Sequence, residues 1–215
     1  MTISAEVATK LLQIKAIKLS PQNPFTWASG LQSPIYCDNR IILSYPEVRT
    51  WMLDRLEHVA SALMPFDAVA GVATAGIPMG TLLADKLALP LIYVRSKAKE
   101  HGRKNQIEGR FSAGQKVLVV EDLISTGGSA LAAVQVLREA GCEVVAVLAN
   151  FQYGLPEAEE RFEKAGCDLY TLSDYSTLIQ MARNAGYVDA DDLVTLRNWQ
   201  SAPDSWSVKF SQSPE

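Results

Sequence analysis

The chain has 215 residues, 48% hydrophobic and 20% charged, with a formal charge of −4; that is enough for one full hydrophobic core, and the acidic balance argues against a general nucleic-acid binder. Three widely spaced cysteines, Cys37, Cys142 and Cys167, with no C-x-x-C pair, exclude a disulfide framework and a cysteine-rich zinc site and suit a reducing compartment. The apolar run Val144 to Ala149 is six residues long, against about 20 for a spanning helix, and no signal-like apolar run follows Met1, so the expectation is a cytoplasmic protein with neither membrane nor nucleic acid as partner.

Ile3, Val7, Leu11, Ile14 and Lys18 fall on helical spacing, predicting an amphipathic helix over residues 3–18 that Pro21 and Pro24 close. Phe25 to Ala28 and Ile35 to Asp38 read as two short strands around a turn at Ser29-Gly30, and Pro46 opens a helix running to about Met64. From residue 67 the pattern changes. Asp67 to Val72 is a short apolar run without alternation, as in a strand buried on both faces, and it runs into Thr74-Ala75-Gly76 and a helix of about ten residues ending near Leu87. Leu91 to Val94, Val117 to Val120 and Val144 to Ala149 are further strands, with a helix over Ser129 to Ala140 whose Leu131, Val134 and Leu137 face the sheet. Strands alternating with helices of this length predict an α/β fold: a central parallel sheet flanked by helices on both faces. Residues 174–186 and 189–199 read as two closing helices, with Asp189 a candidate N-cap, and the Pro-, Ser- and Gln-rich stretch that follows predicts a loose tail over about 207–215. No repeat or linker divides the chain, so 1–215 reads as one domain.

In an open parallel sheet, ligands bind beyond the carboxyl ends of the strands. Two strand-to-helix loops qualify. Gly71 to Pro78 nearly spells a P-loop, but Ile77 stands where its lysine must be. The second loop, Val117-Leu118-Val119-Val120-Glu121-Asp122-Leu123-Ile124-Ser125-Thr126-Gly127-Gly128-Ser129, runs from an apolar strand through two adjacent carboxylates into a glycine-rich helix start. Backbone N–H groups and the helix dipole there favour an anion, and the glycines let a phosphate approach. The carboxylates would repel that ligand unless they face its hydroxyls or a divalent cation. The plain alternative is a βα turn with an N-cap and two solvated acids.

The run from Val117 to Ser129 resembles the signature of the type I phosphoribosyltransferases, which bind 5-phosphoribosyl 1-diphosphate. The resemblance implies that Glu121 and Asp122 hold the ribose hydroxyls. Leu123 and Ile124 continue the donor-binding run, and Ser125, Thr126, Gly127, Gly128 and Ser129 wrap the 5′-phosphate. The loop from Ala73 to Gly76 would lie against pyrophosphate. Residues 95–110 carry six Lys/Arg against two Glu, a net +4 that leaves −8 for the rest of the chain. Alone this is an ordinary solvated loop, but facing a diphosphate it reads as a cationic lid. Arg95-x-Lys97-x-Lys99-x-His101-Gly102 resembles the lid of the orotate-using branch of that family, and Phe25 to Tyr36 resembles its hood, placed here at about residues 1–45.

The resemblance implies transfer of a phosphoribosyl group to orotate in pyrimidine biosynthesis, with Mg²⁺ held mainly by substrate and water and no protein-only metal site. Lys99, His101 and Asp122 would be catalytic, with Arg95 beside the leaving group and Ser125 at the orotate. A homodimer whose lid reaches the neighbouring subunit's site is also implied. Ala28, Ala75, Ser96 and Gln152 depart from the basic residues that relatives carry at or near those positions; Lys97 is the candidate replacement at pyrophosphate and Arg40 at the orotate carboxylate. Two alternatives stay open from the residues: the same chemistry on a purine base, or a non-catalytic sensor of the phosphoribosyl donor. His58 reads as a surface histidine, Cys142 and Cys167 as small packing residues, and Trp199 and Trp206 as core or interface anchors.

Overall fold

The computed structural model describes residues 1–27, 29–97 and 106–212. Six strands form the main sheet in the order β10-β9-β8-β5-β6-β7. They are β5 (Ala68–Val72), β6 (Leu91–Val94), β7 (Ile107–Glu108), β8 (Lys116–Ile124), β9 (Glu143–Gln152) and β10 (Leu169–Asp174). All pairs are parallel except β6–β7 at one edge. Every residue of β5 is buried, as the unalternating sequence requires of a strand covered on both faces. The chain leaves β5 toward β6 on one side and later returns to β8 on the other. The sheet therefore reverses direction between β5 and β8, the place where such folds open a crevice.

Helices α1 (Ile3–Gln13), α2 (Pro46–Ala62), α3 (Gly76–Lys86), α6 (Tyr175–Asn184) and α7 (Ala190–Ser201) bury one face of the sheet through a core that includes Val7, Leu56, Leu83, Leu178 and Trp199. Helices α4 (Gly128–Glu139) and α5 (Pro156–Lys164) cover the other through Val134, Leu137, Ala158 and Phe162. Pro46 at the first position of α2 and the Asp189 capping box on α7 are the local signals that start those helices. Among the described residues, no helix is long and apolar enough to cross a membrane.

Four short strands lie outside the main sheet. β1 (Ile17–Leu19) pairs with β4 (Ile35–Cys37), and β2 (Phe25–Thr26) with β3 (Gln32–Ser33), both antiparallel. A 3₁₀ turn over Asn39–Ser44 leads into α2.

The structure corrects the sequence expectations at several places. The helix expected over 3–18 ends at Gln13; Lys15 takes a positive φ of 57° and the chain turns into β1, because Ile17 is buried against β4. The strand expected to stop at Val120 continues through the two carboxylates to Ile124, since β9 is long enough to supply ladder partners for Glu121, Leu123 and Ile124. α5 and β10, between residues 153 and 174, had no sequence signal strong enough to predict them. The loose tail is corrected as well: Pro203–Gln212 forms a further helix, α8. It is held by packing of Trp206 against the core, by stacking of Trp206 on Phe210 at 5.1 Å, and by burial of Ser207. Composition alone reads polar and small residues as loose and misses a helix docked through Trp206.

Candidate active site

The crevice between β5 and β8 is shaped by glycine. A Cβ on Gly76 would collide with the Val120 carbonyl and lie 3.3 Å from Glu121 Oε1, and one on Gly71 would lie 2.9 Å from Ile77 Cα. These residues are what let the start of α3 press against the end of β8, so the two loops expected to bind ligand meet. The near match to a P-loop is thereby explained as helix–strand packing.

At the end of β8, Glu121 is 5% exposed and its Oε1 accepts from the Asp122 backbone N–H at 3.0 Å. Burial pushes the Glu121 carboxyl up to about 9, reinforced by a hydrogen bond with Asp122 and by its charge. Burial also raises Asp122, against the pull of its hydrogen bonds and of Arg40. Both carboxyls are thus harder to ionise than free acids, because each is taken from water beside a second acid. Such a pair offers both a donor and an acceptor to a vicinal diol. Beyond it, the half-buried Leu123 packs on one core and Ile124, 1% exposed, on the other, so Ile124 can offer a ligand only its backbone. Gly127 caps α4 at φ 78°, with the Phe162 ring 2.7 Å from where a Cβ would stand.

Two clefts open on either side of this loop. The smaller, about 290 Å³, lies between Ala73, Arg95, Ser96, Gln106, Gly128 and Ser129. It joins the residues just after β6 to the start of α4. There the Arg95 N–H donates to the Gln106 carbonyl at 2.9 Å, and Arg95 Nη1 lies 3.7 Å from Glu108 Oε1. The larger, about 760 Å³, lies between Trp27, Gly30 and Leu31, the Ser125 and Thr126 side of the loop, the start of α5 and the α7–α8 junction. Lys99 and His101 lie outside the described residues, as does Ala28. Lys97 is exposed.

The exposed Arg40 guanidinium makes bonds of 2.7 and 2.9 Å to Asp38, holding that carboxyl below its ordinary range, and its charge also reaches Asp122. Gln152 donates to Thr171 Oγ1 at 3.1 Å on the neighbouring strand. His58 is exposed on α2, while Cys142, Cys167 and Trp199 are buried.

Three residues were missed by sequence reasoning. Asn39, 3% exposed, donates from Nδ2 to the Asp122 carbonyl at 2.7 Å and ties the hood to the acidic pair. Tyr153, just past β9, stacks on Trp27 at 5.3 Å beneath the hood. Arg161 Nη1 comes within 3.4 Å of where a Gly128 Cβ would stand, while its Nη2 pairs with Glu157 at 2.5 Å. The first and third lie far from the loop in sequence; Tyr153 directly follows a strand and could have been flagged from that position.

Residues 42–174 match the family described as "Phosphoribosyl transferase domain". A protein of Listeria monocytogenes named orotate phosphoribosyltransferase is 53% identical over 207 residues, covering 96% of this chain and 99% of its own length. Among solved structures, an orotate phosphoribosyltransferase from Aeropyrum pernix superposes with a TM-score of 0.74 at 32% identity, covering 85% of this chain and 99% of that one. The Mycobacterium tuberculosis enzyme in complex with 5-phospho-α-D-ribosyl 1-diphosphate does so at 0.63 and 26% identity, covering 82% of this chain and 98% of that one. A buried acid pair at the reversal point of the sheet, followed by a glycine-capped helix, agrees with these likenesses, and the chain belongs to the phosphoribosyltransferase family, among its orotate phosphoribosyltransferases.

Proposed function

We propose that the chain transfers the phosphoribosyl group of 5-phosphoribosyl 1-diphosphate to orotate, giving orotidine 5′-monophosphate and pyrophosphate. The observation that carries the reading is the adjacent Glu121 and Asp122, set at the β5–β8 crevice where Gly76 packs against Glu121, on the strand that leads through a glycine-capped turn into α4. In this reading the N–H groups from Ser125 to Ser129 hold the 5′-phosphate, since the first N–H groups of a helix have no partner within it and α4 presents its positive end there. Glu121 and Asp122 orient the ribose through its two hydroxyls. The C1–oxygen bond to pyrophosphate breaks as a base nitrogen attacks from the opposite face, and the proton of that nitrogen passes to solvent. Most of the rate then comes from positioning two anions and stabilising the departing charge. Arg95 borders the smaller cleft, which suits pyrophosphate; Lys99 and His101 are assigned to the same leaving group on the family resemblance. Ser125 faces the larger cleft together with Trp27 of the hood, which suits the base.

Among the described residues no group of three or more His, Cys, Asp or Glu side chains could enclose a metal ion. Asp122, the less buried of the two acids, fits a cation held mostly by substrate oxygens and water, as Mg²⁺ prefers. When bound, Mg²⁺ neutralises charge on the diphosphate. A homodimer in which each lid closes on the partner's site belongs to this proposal, as does a cytoplasmic location.

The test is loss of orotate absorbance on adding the donor and Mg²⁺, with adenine, hypoxanthine and uracil in parallel. Loss with orotate alone, stopped by chelation, is expected. Saturable donor binding with no turnover of any base would turn the reading to a sensor.

A further inference from the structure

α8 closes the larger cleft, and its contact with the hood is specific. The β2–β3 hairpin has only two residues in each strand, pairing Phe25 with Ser33 and Thr26 with Gln32; a hairpin this short has little stability of its own. Two supports hold it. On its inner side, Trp27 stacks on Tyr153 and donates from Nε1 to the Ile35 carbonyl at 3.1 Å. On its outer side the Gln32 N–H donates to Ser207 Oγ of α8 at 2.9 Å, across 175 residues of chain. Ser207 is 9% exposed, and α8 starts directly after α7, with the Trp206 N–H donating to the Ala202 carbonyl at 2.9 Å. Asp204, Ser207 and Val208 line the same cleft as Gly30, Leu31 and Ser125. The hood tip, the phosphate loop and α8 are therefore three walls of one space, and Ser207 is the hydrogen-bonded joint between two of them.

We infer that Ser207 is a positioning residue for the base: through the Gln32 N–H it sets the height of the hood over the cleft that receives orotate. The inference rests on the proposed function. A donor-side role is disfavoured by placement, because α8 borders neither Arg95 nor Ser129. Ser207→Ala removes the acceptor and leaves the helix intact; Ser207→Thr keeps the hydroxyl.

Steady-state kinetics of the full chain, with thermal melting and exchange of the Gln32 amide, test this. In Ser207→Ala, KM for orotate is expected to rise about 3- to 10-fold, the range set by one lost hydrogen bond. KM for the phosphoribosyl donor should stay within about twofold, the Gln32 amide should exchange faster, and Ser207→Thr should recover most of the loss. An unchanged orotate KM overturns the inference, and so does an equal rise in both KM values with a lowered Tm, which would mark a purely structural residue. Wild-type chain that does not use orotate would instead overturn the functional reading on which the inference stands.

Discussion

Glu121 sits where a carboxylate is least at ease: nearly sealed from solvent, at the end of an apolar strand, beside a second acid. Its carboxyl is harder to ionise in the folded chain than in the unfolded one. That contribution to stability is fully present below the unfolded value of 4.5 and is lost as pH rises toward about 9. Glu121→Gln keeps the shape and removes the titration. Its Tm should match that of the wild type near pH 5 and stand progressively above it up to pH 9. Parallel curves would show that Glu121 does not carry the strain. The same variant should raise KM for the phosphoribosyl donor about tenfold or more, trading binding for stability. Adjacent acids after an apolar strand are plain in the sequence. Their protonation is not, because burial and hydrogen bonding decide it, and the Asn39 contact to Asp122 comes from a turn 83 residues earlier. Arg40 is the local counterpart: its pairing to Asp38, two residues away, is a short-range contact, while its charge reaches Asp122 only through the fold.

At the scale of elements, the loop from β8 to α4 was legible because its backbone conformation demands particular residues. Gly127 combines a positive φ with a Phe162 ring against its α-carbon. Gly127→Ala is expected to cost about 2 kcal/mol from the left-handed conformation and crowding together, seen as a lower denaturant midpoint. It should also weaken donor binding, because the first turn of α4 must shift. Retained stability and affinity would mean that the turn relaxes freely. Periodicity served less well where elements are short. Ile14 continues the apolar stripe of α1, yet the helix has already ended, because burying Ile17 in a β1–β4 pair outweighs one more helical turn. α8 was misread for a related reason: its stability comes from docking, and its own polar sequence does not show it.

At the scale of the whole molecule, strand order does what no local segment can. By placing β8 and β6 on opposite sides of β5, it brings Ala73, Arg95 and Ser129 around one cleft. If each lid also completes the neighbouring subunit's site, then Lys99→Ala and Asp122→Ala chains, each nearly inactive alone, should complement when mixed. A statistical mixture would regain about a quarter of wild-type activity, since each mixed dimer has one site free of both changes. Confirmed mixed dimers without recovery would mean self-contained sites.

The alternation of apolar strands and helices, the acid pair, the glycine-rich helix start and the positive charge of residues 95–110 were all determined by sequence alone. Each depends on residue types within a dozen positions, where conformational preference and charge act directly. The edge position of β7, the joining of the two clefts at one loop, the burial that raises the Glu121 and Asp122 carboxyls, and the docking of α8 on the hood were decided only by tertiary structure. These arise from groups up to 175 residues apart in the chain, and distance in sequence carries no energy until the fold turns it into contact.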